Sequence, residues 1–221
     1  MASLNQPKII KARKCSRKSH FMADQYDNKP NKRADKRPDK RADKRIVSSS
    51  HLVSDRAAAL SEVEYGLIVA SNAFGMWMVK AMATAIAEAG IVINAGKGGG
   101  DLGVLDVLCL HSVNHRERPK KLADICFKLN VEDTHIVNYA LKKLLKAGLV
   151  HSEKQGKEVL YSTSDAGLDL CLRYRAVRET CLIDGIGAFE MTGANEFGDV
   201  ARHLRLLSGL YDQAARSATN L

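Results

Sequence analysis

The sequence predicts a mainly α-helical protein with one small β-hairpin, on the strength of three observations. Apolar residues recur at helical spacing in a long stretch from Ser61 and in two shorter stretches after Pro119. Two short segments of alternating apolar residues then follow, joined by the turn-forming run KQGK. Helical spacing repeats every three or four residues and strand spacing every two, so the two kinds of element can be distinguished.

The first 50 residues are predicted to be a disordered basic tail. Residues 1–47 hold 15 Lys and Arg against 5 Asp and Glu, whereas the remaining chain holds 19 against 20. Within the tail, KRADKRPDKRADKR has no apolar residue larger than alanine, so it cannot bury enough surface to offset the entropy of ordering. The tail is either a solvated charged extension or an arm that attracts phosphate nonspecifically.

Residues 51–101 are predicted to form an N-terminal dimerisation helix and a Gly-rich linker. The helix spans Ser61–Glu88, and Ser61 with Glu64 has the spacing of a capping box. Because this helix is apolar on most faces, it must be buried on most sides, which favours a subunit interface. The linker, Ala95–Asp101, fails the phosphate-loop pattern because Gly98 follows Lys97 where Ser or Thr is required.

A second helix is predicted over Leu102–Val113. It carries two histidines, His111 and His115, four residues apart. No third and fourth ligand stands at metal-binding spacing, so we expect no metal and no other cofactor.

A pair of short helices follows, with a polar break at Asn130. Pro119 is placed to open the first helix, and Gly148 to end the second in a left-handed cap. The apolar positions of the first helix are Leu122, Ala123, Ile125, Cys126 and Leu129. Those of the second are Ile136, Val137, Ala140, Leu141, Leu144 and Leu145. Two helices around a tight turn are typical of a helix-turn-helix.

Alternating strands over Leu149–Glu153 and Glu158–Thr163 complete the pattern. The order of helix, helix and hairpin predicts a winged helix-turn-helix DNA-binding domain over residues 102–167. Helices at Asp165–Asp184 and Asn195–Ser217 follow.

This part of the chain resembles the winged helix of the MarR family of transcriptional regulators. The resemblance is carried by Leu122–Ala123, by LKKLLKAGLV at Leu141–Val150 and by the Ser162–Gly167 close of the wing. It covers about residues 60–215 and implies an obligate homodimer formed by the outer helices, with residues 168–221 as the C-terminal dimerisation region. The long first helix and the wing are also similar to the alphaproteobacterial branch that includes LdtR, a cell-envelope and osmotic-stress regulator.

The wing departs from the family pattern in one respect. Relatives often carry Asp-x-Arg there, with the arginine in the minor groove, whereas this chain has Ser152-Glu153-Lys154. Lys154 and Lys157 are the available substitutes, but an ammonium is a point charge without the planar fork of a guanidinium.

The second helix of the pair is predicted to read DNA through the side chains opposite its apolar face. Asn138 has the groups to pair with adenine, and Thr134, His135 and Tyr139 to contact bases or phosphates. Four lysines are expected to contact phosphate, namely Lys142, Lys143, Lys120 and Lys121. A dimer would place two such helices about one turn of DNA apart, which predicts a palindromic site.

Glu132 and Asp133 stand at the start of the same helix, where they oppose a polyanion. Carboxylates there stabilise a helix by ~0.3–1 kcal/mol through capping and the helix dipole. The alternative is that one of them accepts a hydrogen bond from cytosine.

The family resemblance also implies a small aromatic ligand between the dimer helices and the winged domain. Phe74, Trp77, Met78 and Met82 are candidates to line its pocket, although such residues at helical spacing are more often plain core.

Five cysteines without a CxxC pair favour free thiols in a reducing cytoplasm. Cys171, near Arg173 and Arg175, is the candidate redox sensor, with a buried structural thiol as the alternative. The run Tyr65–Val79 is shorter than the ~20 apolar residues of a membrane span, so no membrane partner is expected.

The function that the sequence favours is a ligand- or stress-responsive regulator that binds double-stranded DNA as a homodimer. No nucleophile–base pattern or cofactor loop indicates an enzyme. The alternative is a nonspecific nucleic-acid-binding or protein-interaction module that combines a winged-helix scaffold with the basic tail.

Overall fold

The structure, a computed structural model, describes residues 54–93, 101–186 and 194–220. The predicted basic tail and most of the Gly-rich linker lie outside these residues. Ten elements follow in order: α1 Ala58–Ala89, α2 Val104–Asn114, β1 Lys120–Lys121, α3 Leu122–Leu129, α4 Thr134–Lys146, β2 Val150–Gln155, β3 Glu158–Thr163, α5 Asp165–Arg178, α6 Asp184–Ile186 and α7 Ala194–Ala218. The predicted fold class, mainly α with a small β-hairpin, is confirmed.

Helix α1 begins earlier than the sequence predicts. A 3₁₀ turn at Asp55–Ala57 leads into it, and Ala57 stands at the N-cap position without a side-chain cap. Ser61 lies inside the helix and is buried, so the predicted capping box at Ser61 is wrong. At the other end Gly90 adopts a left-handed conformation, φ 64°, and closes the helix.

The core is centred on α2, which packs against α1, α3, α4, α5 and β3. The most deeply buried side chains of this helix are those of Val107, Cys109, Leu110 and Val113. Leu105 and Leu108 are partly buried and pack against the same core.

A three-stranded antiparallel sheet has the order β1-β3-β2. The hairpin β2–β3 confirms the predicted wing, with Gly156 at φ 63° in its turn. The short strand β1 is additional, because Lys120 and Lys121 pair with Tyr161 and Leu160 of β3. The predicted helix start at Pro119 is therefore wrong: the chain pairs with the sheet first, and α3 begins at Leu122.

The junctions around α4 follow the predicted turn chemistry. Asn130 ends α3 in a left-handed conformation, φ 53°. Gly148, φ 70°, donates its N–H to the carbonyl of Leu145, and Leu149 donates to that of Leu144. This pair of bonds is a Schellman motif, in which glycine avoids the steric penalty of positive φ.

The base of the wing is locked to the start of α5. Ser164 caps α5 by accepting from Gly167 N–H at 3.0 Å, and its own hydroxyl donates to the carbonyl of Gly148 at 2.7 Å. Gly167 packs so tightly that a Cβ built on it would lie 2.0 Å from the Leu149 carbonyl oxygen. The predicted helix Asp165–Asp184 is continuous in the structure but contains a π-helical turn, Glu179–Ile183, after Arg178.

Within the described chain, α1 is the helix long and apolar enough, by length and composition, to cross a membrane. Its buried side chains include Met78, Ala81, Met82 and Ala85, and the helix packs on α2 and α5. Other large apolar side chains of α1, such as Ile68 and Met76, remain exposed.

We expect Gly167→Ala to destabilise the fold by at least ~2 kcal/mol, because overpacking a tight contact costs about 1–3 kcal/mol and the obstacle here is backbone. Urea denaturation followed by circular dichroism measures the change. Gly185→Ala is the matched control, since a Cβ at Gly185 meets nothing within 4 Å. Equal stability of the two variants would contradict the proposed contact.

Candidate nucleic-acid interface

Helix α4 has two distinct faces. Val137, Ala140, Leu141 and Leu144 are buried against the domain, and Leu145 is partly buried. Ile136, predicted on this face, is instead 46% exposed. The opposite face exposes Thr134, His135, Tyr139 and Lys142, with Asn138 half-buried between the two.

Asp133 begins this helix as a cap. Its Oδ1 accepts a hydrogen bond from the His135 N–H at 2.8 Å, so the carboxylate satisfies a free backbone donor of the first turn. The capping interpretation of Asp133 is thereby confirmed. Glu132 is exposed beside it, and both acids lower the positive potential at the start of the exposed face.

Two of the four predicted phosphate-contacting lysines are used inside the protein. The Lys143 Nζ donates to Asp106 Oδ2 at 2.8 Å and to the Asp101 carbonyl at 2.6 Å, with the lysine side chain only 19% exposed. Lys120 is buried, and its Nζ donates to the carbonyls of His115 and Arg118. These contacts remove Lys143 and Lys120 from the surface to which the sequence assigned them.

The other predicted lysines are accessible. Lys121 forms a 2.6 Å ion pair with Glu158 at the surface, with the lysine side chain 47% exposed. The hydrogen bond and charge of Glu158 raise the pKa of Lys121. Lys142, Lys154 and Lys157 are exposed, the last two beside the turn of the wing.

Sequence comparison identifies the region that contains these elements. A family model described as a winged helix DNA-binding domain matches residues 102–167. This part of the chain is therefore similar in sequence to that family. Its setting is mainly helical, with long helices on both sides and a three-stranded antiparallel sheet.

Several solved structures are similar to this chain over 72–74% of its length. AbfR of Staphylococcus epidermidis has a TM-score of 0.51 at 18% identity, covering 74% of this chain and 99% of AbfR. CouR from Rhodococcus jostii RHA1, solved bound to p-coumaroyl-CoA, has a TM-score of 0.43 at 16% identity, covering 72% and 95%. A MarR repressor from Listeria monocytogenes gives 0.40 at 15% identity, covering 73% and 99%. No curated protein sequence matches this chain.

A cavity of about 560 Å³ lies between α1, α2 and α5. Three of the predicted ligand-pocket residues line it: Phe74, Trp77 and Met78. Met82 does not, because it is fully buried in the core. Trp77 stacks on Phe74 with ring centroids 6.0 Å apart and meets Tyr174 edge-on at 5.6 Å.

The polar side of this cavity contains His111, Cys171, Arg175 and Arg178. His111 packs edge-on against Tyr174, with ring centroids 4.6 Å apart, and its Nε2 is buried without a hydrogen-bond partner. Burial lowers the pKa of this imidazole. His115 lies outside the cavity at the surface, and no group of metal-binding side chains occurs among the described residues.

Cys171 is a poor candidate for a redox sensor. It is buried, its Sγ lies 3.9 Å from His111 Nδ1, and burial raises its pKa to about 11. A sensor needs an accessible thiolate, which burial disfavours. The structure therefore favours the alternative of a buried structural thiol, and Cys181 is the exposed cysteine of the described part.

The sequence interpretation missed a cluster of cations near the end of α2. Arg116, Arg118 and Lys128 are exposed. The charge of Lys128, followed by desolvation and by the charges of Arg116, Lys120 and Arg118, lowers the pKa of His115. Arg116 and Arg118 stand close together in the sequence, but their proximity to Lys128 depends on how α3 folds back.

We expect Asp106→Ala to cost ~2–4 kcal/mol of stability, because a half-buried ammonium would lose its partner. The same carboxylate also accepts from Gly103 N–H at 2.8 Å at the start of α2. Chemical denaturation measures the change. Asp169→Ala is the control, since its pair with Arg173 is exposed and such pairs contribute under ~1 kcal/mol. Similar losses in both variants would argue against a special role for Asp106.

The rate of alkylation is expected to distinguish the exposed thiol from the buried thiols. With a pKa of about 11, roughly one Cys171 thiol in a thousand is ionised at pH 8, so iodoacetamide should modify Cys181 well before Cys171 or Cys109. Peptide mass spectrometry over time measures the order, and urea-unfolded protein provides the control in which the three rates converge. Fast labelling of Cys171 in folded protein would restore it as a sensor candidate.

Proposed function

We propose that this protein is a transcriptional regulator that binds a palindromic operator as a homodimer and reads it with α4. The observation that carries the proposal is the exposed face of α4. Its polar and aromatic side chains have no covering element in the described chain, while the opposite face is fixed in the core of a winged helix DNA-binding domain.

The side chains of this face divide into two roles. Asn138 is the candidate base reader, because its amide both donates and accepts and thus matches N6 and N7 of adenine. Thr134, His135 and Tyr139, the last 73% exposed, are candidates for contacts with base edges, thymine methyl groups or phosphate. Lys142 supplies a phosphate contact that sets position rather than sequence.

Lys121, Lys154 and Lys157 extend the predicted phosphate contact from α3 to the wing. Lys154 pairs with Val159 in the hairpin register, and Lys157 lies in the turn. Without an arginine at the tip, the wing is proposed to contribute affinity rather than minor-groove specificity.

The homodimer is supported by apolar surfaces on α1 and α7. On α7, Phe197, Val200 and Leu204 recur at three- and four-residue spacing and are 42–45% exposed. On α1, Ile68, Val69 and Met76 are 50–63% exposed. Large exposed apolar surfaces are unfavourable in water, and mutual burial between two copies removes them.

Ligand control is proposed to act through the cavity between α1, α2 and α5. Its aromatic side chains suit a planar ring, and Arg175 and Arg178 would attract an acidic group. Because the cavity joins a helix of the dimer region to α2, a ligand that fits one arrangement better would shift the DNA-binding equilibrium. A DNA-binding regulator of this kind would act in the cytoplasm. Membership of the LdtR-like branch stays a prediction.

A matched pair of variants tests the reading face. Asn138→Ala should weaken binding to the operator by about 5- to 150-fold for each half-site, as the loss of ~1–3 kcal/mol of discrimination implies, with little change on unrelated DNA. Lys142→Ala should weaken binding to all sequences and reduce the salt slope by about 1.8, because the dimer loses one phosphate contact in each protomer. Fluorescence anisotropy with operator and scrambled duplexes at several salt concentrations measures both. Identical behaviour of the two variants would contradict the division of roles.

Footprinting on DNA upstream of the protein's own gene, with competitor DNA present, would locate the operator. Full-length protein and a chain that starts near His51 should both protect a palindrome. Protection that disappears with the tail, or that competitor abolishes, would instead favour the nonspecific nucleic-acid or protein-interaction module.

A further inference from the structure

The loop that follows α2, residues 115–120, is held in shape by a buried lysine. Lys120 is buried beneath the 3₁₀ turn His115–Glu117, and its ammonium donates to the carbonyls of His115 at 2.7 Å and Arg118 at 2.5 Å. Burial lowers the pKa of Lys120, and so do the charges of Arg118 and Lys128. Burying a lysine costs free energy, and here the carbonyl contacts that offset this cost fix the shape of the loop.

The loop also holds an unusual backbone conformation. Arg116 adopts φ 60° and ψ 21°, in the left-handed region that costs a residue with a Cβ ~1–2 kcal/mol. Arg116, Arg118 and Lys128 are exposed, and no ion pair among the described side chains involves them. Two exposed arginines on a strained, internally anchored loop, with Lys128 of α3 close by, indicate an anionic partner.

A small cavity opens directly beside this loop. It has a volume of about 200 Å³, and its polar wall contains Asn114, Arg118, Ser162, Thr163 and Asp165. The Thr163 Oγ1 is buried and has no hydrogen-bond partner, so the wall contains an unused hydroxyl donor. The amide of Gly167 at the start of α5 is already bonded to Ser164, so any anion would depend on the side chains.

The position of the cavity separates it from the proposed DNA contacts. Lys120 pairs with Tyr161 and Lys121 with Leu160, so the chain before Lys120 runs along β3 away from the wing turn at Gly156. Arg118 therefore lies at the base of the wing, beside Thr163, and not at its tip. It is also distinct from the larger aromatic cavity, which lies between α1, α2 and α5.

We propose that this cavity is a binding site for a small oxyanion, either inorganic phosphate or the phosphoryl group of a small metabolite. Arg118 is the principal partner, because a guanidinium presents paired donors to phosphate oxygens. Asn114, Ser162 and Thr163 supply neutral donors, and Arg116 and Lys128, whose charges act on the adjoining His115, add positive charge to this region. A volume of about 200 Å³ limits the occupant to a phosphate group with a short carbon skeleton.

Titration calorimetry of the full-length chain tests the site, with inorganic phosphate, glycerol phosphate and acetate as separate probes at constant ionic strength. No DNA is present, so the result does not depend on the proposed regulatory function. We expect saturable binding of a phosphate probe and weaker binding of acetate. Tighter binding of glycerol phosphate than of inorganic phosphate would identify a phosphorylated metabolite as the class, and the reverse order would identify the free ion.

Arg118→Gln should weaken phosphate binding at least tenfold, while Arg216→Gln, an exposed arginine in the last turn of α7, should leave it unchanged. Absence of saturable binding to the wild-type chain would overturn the proposal. Equal weakening by both substitutions would also overturn it, since the effect would then reflect overall charge.

Two further variants decide the matter if Arg118→Gln does not fold. Thr163→Val keeps the side-chain shape and removes the unpartnered hydroxyl, so it should preserve the Tm without phosphate but weaken phosphate binding severalfold. Asp165→Asn removes the carboxylate in the cavity wall and should strengthen binding severalfold. Unchanged phosphate affinity in both variants would contradict the site.

Discussion

The arrangement of the winged domain depends on how the N-terminal end of α2 is fixed. One carboxylate oxygen of Asp106 accepts from the Gly103 backbone N–H and from the Lys143 ammonium, each at 2.8 Å. This joins the start of α2 to α4 through a half-buried ion pair, while the apolar residues of α2 fill the space between its neighbours. Such a pair contributes less to net stability than to the choice of one packing arrangement, because each charge is costly when left alone.

The elements with strong periodicity could be predicted from the sequence, whereas several polar side chains could not be placed. The amphipathic pattern of α4 and the glycine after it were sufficient to predict that helix, its cap and the hairpin that follows. Lys143 stands beside Lys142 in a polar run, and its partner Asp106 lies 37 residues earlier in the chain. A pattern read along one helix contains no information about a charge on another helix.

The dependence on residues that are distant in the sequence also explains the remaining differences between the predictions and the structure. A two-residue strand such as β1 is too short to show alternation, and its formation depends on β3, which comes later in the sequence. Met82 has the same spacing as Phe74 and Met78, yet the packing of α1 on its neighbours decides which of them borders a cavity. Ser61 resembled a cap because the spacing to Glu64 was right, but the helix had already begun at Ala58.

The tight contact between Gly167 and the Leu149 carbonyl couples the wing to α5. Backbone meets backbone at the joint, with no flexible side chain to absorb motion, so we expect a rotation of α5 to move the wing with it. The wing strands are six residues long, so at ~3.4 Å per residue a rotation of α5 by ~5° would carry the tip through ~2 Å. A shift that is small at the helix is thus comparable to a hydrogen-bond length at the far end of the hairpin.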